Sequence, residues 1–105
     1  MSKGYLLLKR ASHQIDDIYV YTRAQWGALQ ADTYIKGLFK RFDGIVSQQV
    51  ISKSIPSKLG VSGFYCRHEY HYIYWHYLPN QTVGIVAVLH QRMHQTDRLH
   101  GEFDA

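Results

Sequence analysis

Histidines and arginines gathered near the ends of predicted strands are the residues of this chain best suited to chemistry. His68, His71 and His76 lie close together, and His90 and His94 follow at i,i+4. A zinc site needs three or four ligands converging on one point. His71 and His76 are an odd number of residues apart and so face opposite sides of one strand, while His90 falls at a strand end rather than within a helix. These spacings predict no metal site. Nucleophilic catalysis has equally little to build on. Cys66 lies between Tyr65 and Arg67 in an aromatic stretch, where a free cysteine usually packs as a small hydrophobe. The sequence contains neither a Gly-x-Ser-x-Gly elbow nor a glycine-rich phosphate loop. Asp16 and Asp17 diverge by about a hundred degrees on a helix, and Glu69 stands alone, so paired-carboxylate chemistry is not expected.

One enzymatic reading stands on residue types. Metal-free RNA cleavage needs a base for the 2′-hydroxyl, an acid for the leaving oxygen and cations for the phosphate. Tyr65, Arg67, His71, His90, Arg92 and His94 could fill those roles, with sheet aromatics available for base stacking. Tyrosine and arginine on an open sheet face describe a protein interface just as well. Both readings stay open on the residues alone.

The elements that must position these side chains follow from periodicity. Tyr5 to Leu8 is an apolar run too short for a helix and reads as a strand. From about Arg10 to Trp26, residues Ala11, Ile15, Ile18, Tyr19, Thr22 and Trp26 recur at intervals of three and four, marking one face of a helix. Its start is soft, with Ser12 the nearest capping residue. Gly27 interrupts it, and a second helix runs from about Ala28 to Gln48. Its stripe is Ala31, Tyr34, Ile35, Leu38, Phe42, Ile45 and Val46, with Asp32 and Lys36 paired at i,i+4 outside. Two amphipathic helices with so short a connection form an antiparallel hairpin that must lie on something flat.

That flat element comes from the second half. After a loop from Gln49 to Ser62, with some strand character near Val50-Ile51, come strands at Gly63 to Glu69, His71 to Leu78 and Thr82 to His90. Pro79-Asn80-Gln81 turns the last two into a hairpin. Val83 to Leu89 is almost continuously apolar, as a strand buried on both faces would be. The polar tail from Gln91 has a short helical stretch around Gln95 to His100. The expected fold is α+β: an N-terminal strand and an antiparallel helical hairpin packed on a mostly antiparallel four-stranded sheet, with a short C-terminal tail. The predicted core between hairpin and sheet is Ile15, Ile18, Trp26, Leu38, Phe42, Ile73, Ile85 and Leu89.

Composition bounds the rest. The 105 residues, 46% hydrophobic and 19% charged, suit a single domain spanning 1–105 with one core. Twelve Lys and Arg against eight Asp and Glu leave a formal charge of +4, which suggests an acidic partner or a merely soluble basic surface. Nine tyrosines suggest a strand-rich core rim or a binding surface. The longest apolar run falls well short of the ~20 residues of a membrane span, and the apolar start is too short for a signal peptide. With a lone cysteine and hence no intrachain disulfide, the expected location is the cytoplasm.

Specific strings narrow the choice. Tyr21-Thr22-Arg23-Ala24-Gln25-Trp26-Gly27, followed by Gln30-Ala31 and Tyr34-Ile35, resembles the helical hairpin of ParE toxins. Cys66 to Ile73 with Leu78-Pro79 resembles that family's strand carrying a His-Tyr pair, and Val86 to Met93 resembles its last strand, ending Leu-His-x-Arg-Met. The resemblance covers residues 5 to about 100. It implies a RelE/ParE-like toxin of a type II toxin–antitoxin module that arrests growth by binding DNA gyrase, without catalysis and without cofactor or metal. The alternative within the superfamily is a ribosome-dependent mRNA interferase of the RelE type. The implied partner is a ParD-like antitoxin with a ribbon-helix-helix domain, so that DNA is met only through antitoxin or gyrase. Its acidic segment is expected on Tyr19, Arg23, Tyr34 and Lys36 of the hairpin and on Tyr5 and Leu7 of the first strand. Toxicity is implied for the tail, at Arg92, Met93, His94, Arg98 and Leu99. His94 departs from the Asp that the family commonly carries there, which removes an acidic partner for Arg92 or a nearby amide.

Overall fold

The computed structural model describes residues 4–57 and 61–93. Strand β1 (Tyr5–Leu7) leads directly into α1 (Lys9–Trp26) and α2 (Ala28–Val46), followed by β2 (Lys53–Ser54), β3 (Phe64–His68), β4 (His71–Tyr77) and β5 (Val83–His90). The strands form one sheet in the order β1-β5-β4-β3-β2. All neighbours are antiparallel except β1 and β5, which run parallel with Tyr5 opposite Val83.

The α+β architecture and the order of elements agree with the sequence reading, but the sheet has five strands rather than four. The extra one is a two-residue edge strand, Lys53–Ser54, lying opposite Tyr65 and Phe64. The strand character expected at Val50-Ile51 is displaced to this pair, and Ile51 is instead exposed. Helix α1 begins at Lys9 with Leu8 at its N-cap and no capping side chain, so the Ser12 hydroxyl does not mark its start. A single residue, Gly27, joins the two helices. It sits at φ 95° and ψ 166°, where a side chain would be strained. Its N–H reaches the Arg23 carbonyl at 2.9 Å and its carbonyl receives the Ala31 N–H at 3.1 Å, so one glycine both closes α1 and opens α2.

The sheet is buried on both faces. Ala11, Ile15 and Ile18 of α1 and Tyr34, Leu38, Phe42 and Ile45 of α2 pack on Cys66, Ile73, Trp75, Val83, Ile85 and Val88. The opposite face gathers Ile55, Tyr74, Val86, Ala87 and Leu89, bordered by Leu8, Val61, Tyr65 and Tyr72. A bulge makes this division possible. Tyr74 faces Ala87 while Trp75 faces Ile85, leaving Val86 as the extra residue of β5. Val86 and Ala87 therefore both pack on the second face, and the alternation resumes at Val88.

Two core expectations are corrected. Leu89 is fully buried, but on the face away from the helices, because the bulge shifts the alternation of β5 by one residue. Trp26 is 72% exposed. Its position continues the apolar period of α1, but no residue of α1 beyond Ile18 is buried and α2 is not buried before Ala31. At 1.5 Å per residue, the hairpin tip projects about 12 Å past the part of α1 that rests on the sheet.

Beyond Ile85 strand β5 outruns its pairing with β1, and there α1 supplies the missing acceptor. The Val88 N–H donates to Gln14 Oε1 at 2.8 Å. Leu38 is fully enclosed between hairpin and sheet. Leu38→Ala is expected to lower unfolding free energy by roughly 2–5 kcal/mol in urea titration, whereas Leu29→Ala, at an exposed site, should change it by about 0.5 kcal/mol or less.

Candidate functional site

The site is built where β5 ends. Strands β3 and β4 are joined by Glu69-Tyr70 with Glu69 at φ 50°, which sets His68 opposite His71; His71 in turn lies opposite His90. All three imidazoles therefore gather at one end of the sheet, on the face covered by α2. Helix α2 comes close because Gly37 faces His68: a Cβ there would lie 3.2 Å from its Cε1. One turn earlier, Tyr34 sends its hydroxyl between the strands, 3.2 Å from the His68 carbonyl and 2.7 Å from His71 Nδ1.

A single arrangement of protons satisfies both contacts. His71 Nδ1–H donates to the Tyr34 oxygen, and the Tyr34 hydroxyl donates to the His68 carbonyl. Burial holds His71 neutral, with a pKa lowered from 6.5 to about 4, helped by the neighbouring His90 and His68. Burial also lowers His68, against the pull of Glu69, whose carboxylate lies 3.7 Å from its Nε2. Tyr34 is pushed up to about 12, chiefly by burial. These groups are held in place by the fold. Burial favours the neutral form of each of them.

From this platform the chain turns outward. The Gln91 N–H donates to the Tyr70 carbonyl at 2.9 Å. The Gln91 side chain accepts from Arg67 Nη2, and Arg67 Nε donates to the Glu69 carbonyl at 2.7 Å. The same guanidinium lies 5.8 Å from the centre of the Tyr72 ring. The next residue, Arg92, donates its N–H to His90 Nδ1 at 3.1 Å, and the Met93 N–H returns to the His90 carbonyl at 3.0 Å. The Arg92 and Met93 side chains are exposed. His94, Arg98 and Leu99 lie outside the described residues, as does the stretch from Gln95 to His100.

The six residues expected to meet a partner on the hairpin and first strand are placed unequally. Arg23 and Lys36 are exposed, and Tyr19 is half-buried with its hydroxyl on Asp32 Oδ1 at 3.1 Å. Tyr34 is buried in the histidine cluster. Tyr5 and Leu7 turn into the helix-facing core, with the Tyr5 ring edge-on to Phe42 at 5.2 Å, so β1 offers its outer backbone edge rather than these side chains. The apolar surface that the sequence reading missed is the hairpin tip, where Val20, Tyr21, Trp26 and Leu29 are all largely exposed. Val20 and Tyr21 fall outside the Ala11-Ile15-Ile18 stripe, and that mismatch was the available signal. Among the described residues no three His, Cys, Asp or Glu side chains are grouped as metal ligands. Among the same residues no helix is long and apolar enough to cross a membrane.

The lowered His71 pKa fixes the sign of a pH effect. Because the unfolded chain binds that proton more readily, the stabilisation is complete above pH 6.5 and is lost as pH falls toward 4. The expected loss attributable to His71 is of order 2–3 kcal/mol. Urea titrations at pH 7 and pH 4.5 should show it, and His71→Gln should flatten the slope. An unchanged slope in that variant would contradict the assignment.

Comparison with known proteins gives the family of the chain. A sequence model described as "ParE toxin of type II toxin-antitoxin system, parDE" matches residues 5–95. The chain is 30% identical over 96 residues to Toxin ParE of Escherichia coli, covering 91% of this chain and 92% of that protein. It is 30% identical over 92 residues to Toxin ParE1 of Caulobacter vibrioides, covering 87% and 92%, and 27% identical over 99 residues to Toxin ParE1 of Mycobacterium tuberculosis, covering 89% and 94%. The match takes in both helices, all five strands and the turn at Arg92-Met93. The chain belongs to the ParE family, the toxins of type II toxin–antitoxin systems.

Proposed function

We propose that this protein arrests growth by binding DNA gyrase through the segment that begins at Arg92, and that a ParD-like antitoxin with a ribbon-helix-helix domain neutralises it. The observation that carries this reading is the exposed Arg92-Met93 turn, held by His90 at the end of β5 beside the buried His71. A guanidinium fork recognises carboxylates or phosphates in pairs of hydrogen bonds, and a methionine beside it gives adaptable apolar contact. Both act by complementarity, with no bond made or broken. Tyr34 and His71, two buried proton-carrying groups of the cluster, are engaged with each other beneath α2, which favours binding over acid–base work. Arg98 and Leu99 extend the same chemistry along the tail.

The antitoxin reading rests on a different surface. Exposed Val20, Tyr21, Trp26 and Leu29 at the hairpin tip, with Arg23 and Lys36 on the same two helices, suit an acidic amphipathic segment that folds as it docks. The chain's excess positive charge would speed that encounter.

Two experiments test these halves separately. Purified protein should inhibit negative supercoiling by gyrase, and Arg92→Ala should lower that inhibition about tenfold with an unchanged melting temperature. Codon-specific mRNA cuts on primer extension, with supercoiling unaffected, would instead assign the RelE-type activity. For the antitoxin, Trp26→Ala should weaken binding about tenfold or more, as loss of an exposed aromatic anchor does. Lys36→Glu should chiefly slow association and flatten its salt dependence. Binding indifferent to both changes would move the antitoxin off the hairpin.

A further inference from the structure

The last residue of β5 does more than end the strand. Past His90 the antiparallel ladder supplies one more bond, from the Gln91 N–H to the Tyr70 carbonyl. The next two N–H groups both return to His90: Arg92 to the ring nitrogen Nδ1, and Met93 to the backbone carbonyl. A turn whose two inward N–H groups close on one residue takes its direction from that residue's side chain. To accept at Nδ1 the ring must be neutral with its proton on Nε2.

The ring is itself braced. His71 stands edge-on to it, with centroids 5.2 Å apart and planes at 85°, and His71 is held in turn by the Tyr34 hydroxyl at 2.7 Å. A continuous set of contacts thus runs from the middle of α2, across β4 and β5, to the N–H of Arg92. On the other side of the turn, Arg67 grips the Gln91 side chain.

We propose that His90 is a positioning residue for target binding: its Nδ1 holds the Arg92 N–H, and this contact aims the Arg92 guanidinium and Met93 away from the sheet. The inference rests on the reading that Arg92 meets the target, and it adds which group holds Arg92 ready. His90 touches no target atom. It acts through the backbone of the residue two positions on, as an Asx side chain does at a turn.

That analogy supplies the test. His90→Phe keeps a flat ring against His71 but removes the acceptor. His90→Asn restores an acceptor able to reach the N–H two residues later. Arg92→Ala keeps the N–H and the turn but removes the guanidinium. Each variant is examined for Arg92 amide hydrogen exchange, gyrase inhibition, antitoxin affinity and melting temperature. The expected result is that His90→Phe speeds exchange at the Arg92 amide and weakens gyrase inhibition about tenfold, while His90→Asn recovers most of both. Antitoxin affinity and melting temperature should hold in all three, which a merely structural role for His90 would not allow. Unchanged exchange in His90→Phe overturns the inference. So does faster exchange with full inhibition, provided Arg92→Ala has lost inhibition. If Arg92→Ala inhibits gyrase as well as the parent does, the target-binding reading of the tail falls instead.

Discussion

Strand β5 cannot meet water on either face, and the rest of the molecule is arranged around that constraint. Seven successive residues, Val83 to Leu89, are all buried, with apolar side chains on both sides of the sheet. One side requires a layer of helix, and the hairpin supplies it with Leu38 and Phe42. Among the described residues no helix covers the other side, which is closed by Ile55 and the buried Tyr74, with Tyr65 and Tyr72 half-buried at its border. The bulge at Val86 is what lets eight residues of β5 serve seven of β4 while feeding both layers. Without it, the residues beyond would exchange faces and His90 would turn away from α2.

Much of this could be read from residue order. The helical stripes of α1 and α2, the doubly buried strand and the Pro79-Asn80-Gln81 turn each carry a local signature, and each is where its signature puts it. The errors share one cause. Trp26 continues the period of α1, yet periodicity says nothing about where the sheet beneath a helix stops. Leu89 sits at the parity expected of an unbroken strand, and a bulge has no mark in a run of valines, isoleucines and alanines. The pairing of Lys53–Ser54 depends on β3 having an unmet edge, which is a property of the assembled sheet rather than of the two residues.

The site divides along the same line. Leu89-His90-Gln91-Arg92-Met93 is a local string, and both its place at the end of β5 and the exposure of Arg92 and Met93 follow from it. The meeting of Tyr34, His68, His71 and His90 is not local, because it joins a helix position to three strands. Tyr34 fits the apolar stripe of α2 as an ordinary core aromatic, and only the assembled fold shows its hydroxyl between two strands. Its burial also separates two surfaces that a charge count merges: the histidine cluster beside the Arg92-Met93 turn, and the exposed hairpin tip near the start of α2.

The parallel pairing of β1 with β5 has a consequence for synthesis. Tyr5 lies opposite Val83, so the first strand made must wait for nearly the last before its edge is covered. At roughly 5–20 residues per second, the intervening chain takes about 4 to 16 seconds to emerge. Until then the apolar stripes of α1 and α2 have only part of their sheet to rest on. A contact so distant in sequence also makes the final closure slow relative to helix formation. A nascent chain therefore lacks the strand that ends at His90, and cannot close its sheet beneath the helices, until nearly all of the domain has been made.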